Sequence, residues 1–142
     1  MTSVPEKPTA NGKIFPTAQA ALEGVFDGAS VLVAGWSGSD EPEKLLRGLG
    51  EIGVGNLTLV CQGAWVQKSG QFGVGDLVAT GQVKKMVSPL PFHPEYGGPV
   101  KDRWKSGELE LEVVPQGVLA ERLRAGGAGI GGVFLPTGAR TR

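Results

Sequence analysis

Gly35-Trp36-Ser37-Gly38-Ser39 puts a serine hydroxyl in a glycine-flanked turn, the setting of a hydrolytic nucleophile. Ser39 stands where the closing glycine of such an elbow belongs. A triad would also require His93, the chain's one histidine, which lies in an irregular stretch between Pro91 and Pro94. The triad reading fails on both counts. A simpler chemistry fits the same loop: backbone N–H groups over residues 35–39, ahead of a helix, can face a ligand oxygen. Asp40 reads as that helix's N-cap, with Glu43 at the third helical position completing a capping box. Its negative charge makes a phosphate less welcome than a neutral carbonyl that gains charge during reaction. Residues 127–132, GAGIGG, satisfy G-x-G-x-x-G. The dinucleotide fingerprint needs a strand before the glycines, a helix after them and an acidic residue about 20 positions on. Here a helical stretch precedes, a short apolar run follows and no acidic residue comes after, so the glycines read as a flexible turn that permits close backbone packing. Glu108, Glu110 and Glu112 recur at period two, which puts three carboxylates on one strand face. Such a row could supply a nucleophile, but it reads as a solvated face. Trp36, Trp65 and Trp104 can wall a ligand pocket and serve packing equally well. The lone Cys61 excludes an intrachain disulfide and a CxxC metal site, and with a single histidine no internal zinc site is expected.

The elements that must position these residues come from an ordinary globular composition. The chain has 142 residues, 40% hydrophobic and 20% charged, which is one domain with enough length to bury a core. Fourteen basic residues balance 14 acidic ones at a sequence pI near 6.6, so nothing favours nucleic-acid phosphates. Residues 1–13 are polar and proline-bearing, which reads as a flexible N-terminal tail rather than a signal peptide. No apolar run reaches the roughly 18 residues of a membrane span, so a cytoplasmic protein without membrane contact is expected. Glycine is the outlier, at 24 residues where about 7% is usual. Helical and strand patterns alternate. Ala18, Ala21, Leu22 and Val25 share one face of a short helix after Pro16. Residues 30–34 form a nearly all-apolar strand, and Leu45, Leu46 and Leu49 make the stripe of a helix that Gly50 or Gly53 stops. A second strand follows over residues 56–61, then a helix near 74–80 and a third strand over 83–87. The four prolines within residues 88–99 predict a loop. Residues 109–113 read as a strand with one wet face, 116–125 as a helix and 133–135 as a last short strand. The alternation predicts a parallel α/β sheet. Ligands on such sheets bind outside the carboxyl ends of the strands, which directs attention to loops 35–39, 62–65, 88–99 and 115–117.

The run PQGVLAERLRAGGAGI over residues 115–130 strongly resembles the signature of the α subunit of family I CoA-transferases, of the succinyl-CoA:3-oxoacid and acetate/acetoacetate type. DGASVLVAGW over 27–36, with Pro42-Glu43 beyond, is similar to that family's first strand and GGF-type loop. NLTLV over 56–60 resembles the second strand and VKKMVS over 83–88 the third, while SGELELE over 106–112 leads into the PQG run. The likeness covers residues 14–141.

The resemblance implies an open, mainly parallel sheet flanked by helices, Rossmann-like, with residues 14–142 forming an α-type domain. It also implies a reaction. On a separate β subunit, a glutamate attacks an acyl-CoA thioester, and CoA passes to a carboxylic acid, 3-oxo or dicarboxylic, by a ping-pong route. The CoA thioester is then a substrate, and no permanently bound cofactor or metal is expected. The α-type chain would be inactive without its β partner, in an α2β2 or similar assembly. Gln116 matches the family's active-site glutamine, whose amide can donate to a substrate oxygen. Gly35, Trp36, Ser37 and Gly38 fall on the GGF-type loop, and Gln62-Gly63 stands where 3-oxoacid enzymes carry paired asparagines. Ala34 and Trp36 replace the usual Gly and Phe, and Ser37 and Asp40 replace further loop glycines. These changes bear on acyl specificity. Related α subunits continue well past the PTG segment, and a sheet that stopped at Arg142 would leave edges unpaired. A truncated or cleaved chain, or one completed by another polypeptide, is the expectation. The altered loop also admits hydrolysis or ring opening of a CoA thioester on the same fold, and a non-catalytic regulatory domain is the reading from a different class.

Overall fold

The computed structural model describes residues 14–36, 40–64 and 70–140. Among these, nine elements alternate along the chain: α1 (Ala18–Ala21), β1 (Ser30–Val33), α2 (Glu43–Ile52), β2 (Leu57–Cys61), α3 (Val74–Ala79), β3 (Val83–Ser88), α4 (Pro99–Lys105), β4 (Glu110–Val113) and α5 (Gln116–Gly127). The four strands form one sheet in the order β1-β2-β3-β4, all parallel. Each neighbouring pair is joined through a helix, as parallel pairing demands.

Because the strands step across the sheet in one direction, α2, α3 and α4 fall on the same face. Strand periodicity sends Leu57, Leu59 and Cys61 to that face, where they meet Leu49 of α2, Leu77 of α3 and Val100 of α4 in the main core. The intervening Val60, with Val87 of β3, points the other way and packs under Val118 and Leu119 of α5. The connection after β4 therefore changes sides. Among the described residues, α5 is the helix that crosses the second face.

Local chemistry fixes the register of these layers. Gly53 ends α2 in the left-handed region at φ 74°, which only glycine enters without strain. The Gln82 amide then donates to Leu49 O at 3.1 Å and Val54 O at 2.8 Å, tying that turn to the start of β3. At the amino ends of β1 and β2, Gly55 N–H donates to Asp27 Oδ1 at 2.6 Å and Gly28 N–H to Gly55 O at 2.9 Å.

Five details differ from the sequence expectation. The first helix is one turn, Ala18–Ala21, so Val25 lies beyond it. Helix α2 begins at Glu43 with Pro42 as its N-cap; Asp40, at φ 59°, is no cap, and Glu43 instead binds Arg47 at 3.0 Å. Helix α4 begins on Pro99, the last residue of the stretch read as loop, and runs through residues 100–105, to which the sequence reading assigned no element. At the first helical position the missing N–H and fixed φ of Pro99 are harmless. Helix α5 runs two residues further than expected, through Gly127. Residues 133–135 form no strand, and Phe134 is fully exposed.

Gly48 marks the tightest helix contact. A Cβ there would sit 2.8 Å from Ala18 Cβ and 3.3 Å from Leu22 Cδ1. Gly48→Ala gains about 1 kcal/mol of helix propensity, yet overpacking costs roughly 1–3 kcal/mol. The expected outcome is a chain no more stable, and up to about 2 kcal/mol less stable, than the parent. Urea unfolding checks this, and a stabilised variant would show that α1 yields.

Candidate active site

At the carboxyl ends of β1 and β2, α5 crosses the second face of the sheet. The strands end at Val33 and Cys61, their loops begin with Ala34-Gly35 and Gln62, and α5 passes over them with Leu119 and Leu123. A cleft of about 420 Å³ lies between, lined also by Leu32 and Val60. That is the volume range of a ligand site, and the crevice beyond the carboxyl ends of the strands is where an α/β sheet places one.

The cleft is apolar except at Gln62. Its Oε1 is buried with no hydrogen-bond partner among the described residues. An unmatched buried polar atom costs roughly 1–3 kcal/mol. Gly35 is the other feature. It sits at φ 118°, and a Cβ on it would lie 2.9 Å from Glu41 N, Cα and Cγ. The chain leading into α2 is thus pressed against the end of β1, and only glycine permits the approach. Glu41 in turn accepts from Val74 N–H at 3.0 Å, and Glu43 from Phe72 N–H at 3.3 Å, so two carboxylates anchor the segment leading into α3.

Gln116 is the first residue of α5, with Pro115 as its N-cap. It is exposed and is not part of the cleft wall. Leu119 and Leu123, three and seven positions on, share its helical face, so Gln116 stands at the open end of the stripe that walls the cleft. Of the other expected site residues, Gly63 is buried and extends the β2–β3 pairing by bridging Leu90. Trp36 is 47% exposed and does not line the cleft. Ser37 and Gly38 lie outside the described residues, as does Trp65. The expectation that a helix N-terminus follows directly on residues 35–39 is corrected, since α2 starts only at Glu43.

The acidic row is consumed by pairing. Lys85 Nζ lies 2.8 Å from Glu110 and 3.1 Å from Glu112, Arg122 reaches Glu112 at 2.6 Å, and Arg103 reaches Glu108 at 3.0 Å. Hydrogen bonds from Arg122 and then Lys85 hold the Glu112 carboxyl below its ordinary range. Of the glycines at 127–132, Gly127 ends α5 and the rest lead into irregular chain; the close backbone packing expected of them is absent, since nothing lies within 4 Å of a Cβ placed on Gly127, Gly129, Gly131 or Gly132. Trp104 stacks on Phe92, with ring centroids 5.9 Å apart. His93 stacks on Tyr96 at 4.4 Å. Sequence reasoning missed Leu119, Leu123 and Glu41. The first two lie in the helix expected over 116–125, with no sign of what they face, and Glu41 carries no local signal.

Cys61 forms part of the cleft wall yet is 4% exposed. Burial, with the nearby Glu41 charge second, pushes its thiol up to about 12. The folded chain should therefore resist thiol reagents at pH 8 and react only on unfolding, because the thiolate is the nucleophile. The linkage has a sign. The native thiol holds its proton where the unfolded one has lost it, so this contribution to stability is complete below pH 9 and declines from there toward 12. Ellman titration against urea, with Cys61→Ala as control, checks both statements.

Among the described residues no helix is long and apolar enough to cross a membrane, and no group of three or more His, Cys, Asp or Glu side chains is placed to hold a metal.

A parallel sheet with a crevice between its strand ends and a crossing helix defines a class of α/β ligand-binding proteins. The sequence narrows it: residues 15–141 match the family described as Coenzyme A transferase, and the chain belongs to that family. It is 38% identical over 126 residues to a subunit of the 3-oxoadipate CoA-transferase of Acinetobacter baylyi, covering 89% of this chain and 54% of that one. To a subunit of the succinyl-CoA:3-ketoacid coenzyme A transferase of Xanthomonas campestris it is 43% identical over 133 residues, covering 91% and 51%. The chain spans about half the length of the curated relatives it matches. An acyl-CoA transferase from Escherichia coli, solved as a thioester complex with CoA, superposes with a TM-score of 0.72 at 24% identity, over 88% of this chain and 26% of that one, which supports the fold.

Proposed function

We propose that this chain is the α-type subunit of a heteromeric CoA-transferase that moves CoA between an acyl-CoA and a carboxylic acid, in a cytoplasmic assembly of the α2β2 kind. The observation that carries the proposal is the cleft where Gly35, Gln62 and α5 converge, in a chain of this family whose relatives are named as single subunits of such transferases. In this reading the partner subunit's glutamate attacks the thioester carbonyl, forming an acyl-glutamyl anhydride and releasing CoA as thiolate. The thiolate then attacks the glutamyl carbonyl, the acid leaves, and the glutamyl thioester hands CoA to the acceptor acid by the reverse steps. This chain supplies what that chemistry needs from the opposite wall. The cleft takes the acyl group and excludes water, and the amides of Gln62 and Gln116 meet substrate oxygens. This reading is supported by the cleft's described lining, which holds no glutamate, and by the ion pairs that engage the glutamates of β4.

The test mixes the purified chain with β-type subunits and follows CoA exchange between an acyl-CoA and an acid. Exchange with the pair, and none with either alone, is the expected result. Exchange by this chain alone would overturn the assignment. Release of free CoA in the absence of acceptor acid would move it to hydrolysis.

A further inference from the structure

We propose that the outer edge of β1 is a docking edge for one further parallel strand, carried by the part of the related subunits that this chain does not match. The basis is the family of the chain and the handedness of its connections, not the reaction.

Parallel strand–helix–strand connections are right-handed in nearly every case. That rule ties the face on which a helix lies to the direction in which the chain steps. Helices α2, α3 and α4 lie on one face while the strands step from β1 to β4. Helix α5 lies on the other face, so a strand that it leads to steps back. The places of β3 and β2 are taken, and the first open position is beside β1. The course of α5 agrees. It starts after β4, packs Leu119 against Val60 and Val87, and brings Leu123 to the cleft wall that it shares with Leu32 of β1.

The edge itself is suited to pairing. Thr58 N–H donates to Ala29 O at 3.0 Å, and Ser30 sits opposite Thr58 in the register. The N–H and C=O groups of Ser30 and Leu32 therefore point away from β2. Sheet edges that stay open in solution are blunted by charge, proline or a bulge. Strand β1 reads Ser-Val-Leu-Val in unbroken register and has none of these, and Leu32 is 60% exposed. The opposite edge differs: β4 carries Glu110 and Glu112, both paired with Lys85. The relatives point to the occupant. The match covers 54% of the Acinetobacter baylyi subunit, so nearly as much polypeptide again lies outside it. A strand beside β1 would reverse the strand order at that point, which is where open α/β sheets carry ligands, and would add a wall next to Leu32.

The test co-expresses the full 142-residue chain with the unmatched part of the Acinetobacter baylyi subunit as a separate polypeptide. The expected result is a complex in which the Leu32 amide exchanges with solvent deuterium about tenfold or more slowly than in the chain alone. Ser30→Pro removes an outward N–H at a position that does not line the cleft, and proline is tolerated on an open edge. It should leave the circular dichroism of the chain unchanged. It should weaken the complex by about tenfold or more, because one carbonyl of the added strand loses its donor. Ser30→Thr keeps the N–H and should keep the complex. No complex, a complex in which Leu32 stays unprotected, or one indifferent to Ser30→Pro overturns the proposal. Leu32 protection that rises with concentration in the chain alone gives the edge to a second copy, and protection only with a β-type subunit gives it to that partner. Either result overturns the proposal as well. Should Ser30→Pro fail to fold, Leu32 exchange in the parent complex decides. None of these readouts follows CoA exchange, so their failure and that of the transferase reading are separate.

Discussion

Gln116→Ala should lower turnover of the assembled enzyme by about 10²–10³-fold, the loss typical of removing one donor to a developing oxyanion, without unfolding the chain. The two halves of this expectation have separate causes. Gln116 is exposed and occupies the first position of α5, where its side chain supports no core contact and alanine is the better helix former. Stability should therefore stay within about 0.5 kcal/mol of the parent, as for other exposed sites. The rate effect arises because an amide that meets charge formed only in the transition state contributes to kcat rather than to substrate affinity. A split of kcat from KM, with an unchanged Tm, is the signature to look for. An unfolded variant would make Gln116 a structural residue, and an active one would leave it outside the reaction.

Gly35→Ala should be the most destabilising change at the site, by roughly 2–4 kcal/mol, summing left-handed strain and overpacking. The backbone sits at φ 118°, and the new methyl would overlap Glu41 backbone atoms at 2.9 Å, where no side-chain rotation can relieve it. The control is Gly53→Ala. Gly53 also has positive φ, 74°, but nothing lies within 4 Å of its Cβ position, so it should lose only the conformational term, about 1–2 kcal/mol. Urea midpoints at constant m measure the difference. Equal losses would mean that the approach of residue 41 to β1 is soft. A larger loss at Gly35 would show that the loop beside the cleft is held rigid, and exchange activity should then fall with it.

Much of the fold was legible because local pattern and tertiary role coincide. The apolar strands over 30–34 and 56–61, the leucine stripe of α2 and the helix after Pro115 each declare themselves within one element, since burial on a helix face or a strand demands a period that sequence displays. Helix α4 did not, because its seven residues bury only Val100, too little to show a helical period, and Pro99 is tolerated at a first turn. The capping box at Asp40 matched the motif in spacing, yet α2 begins three residues later with Pro42 as cap. The close contact between Glu41 and Gly35 and the bond from Val74 N–H to Glu41 join residues of different elements, and they decide the path of the chain into α2. At the site, the amino acids of PQG, Gly35 and Gln62 were recognisable one by one. Their assembly was not.

What the residues alone determined is the class: parallel βαβ units, a neutral surface unsuited to phosphate backbones, and a PQG run shared with one family. What only the tertiary structure decided is the cleft. It exists because α5 leaves the last strand for the opposite face of the sheet and carries Leu119 and Leu123 across the ends of strands laid down far earlier in the chain. A change of face is a property of the packed layers and has no period of its own in sequence, so the apolar, uncharged wall and the unmatched oxygen of Gln62 come into view only once the layers are stacked.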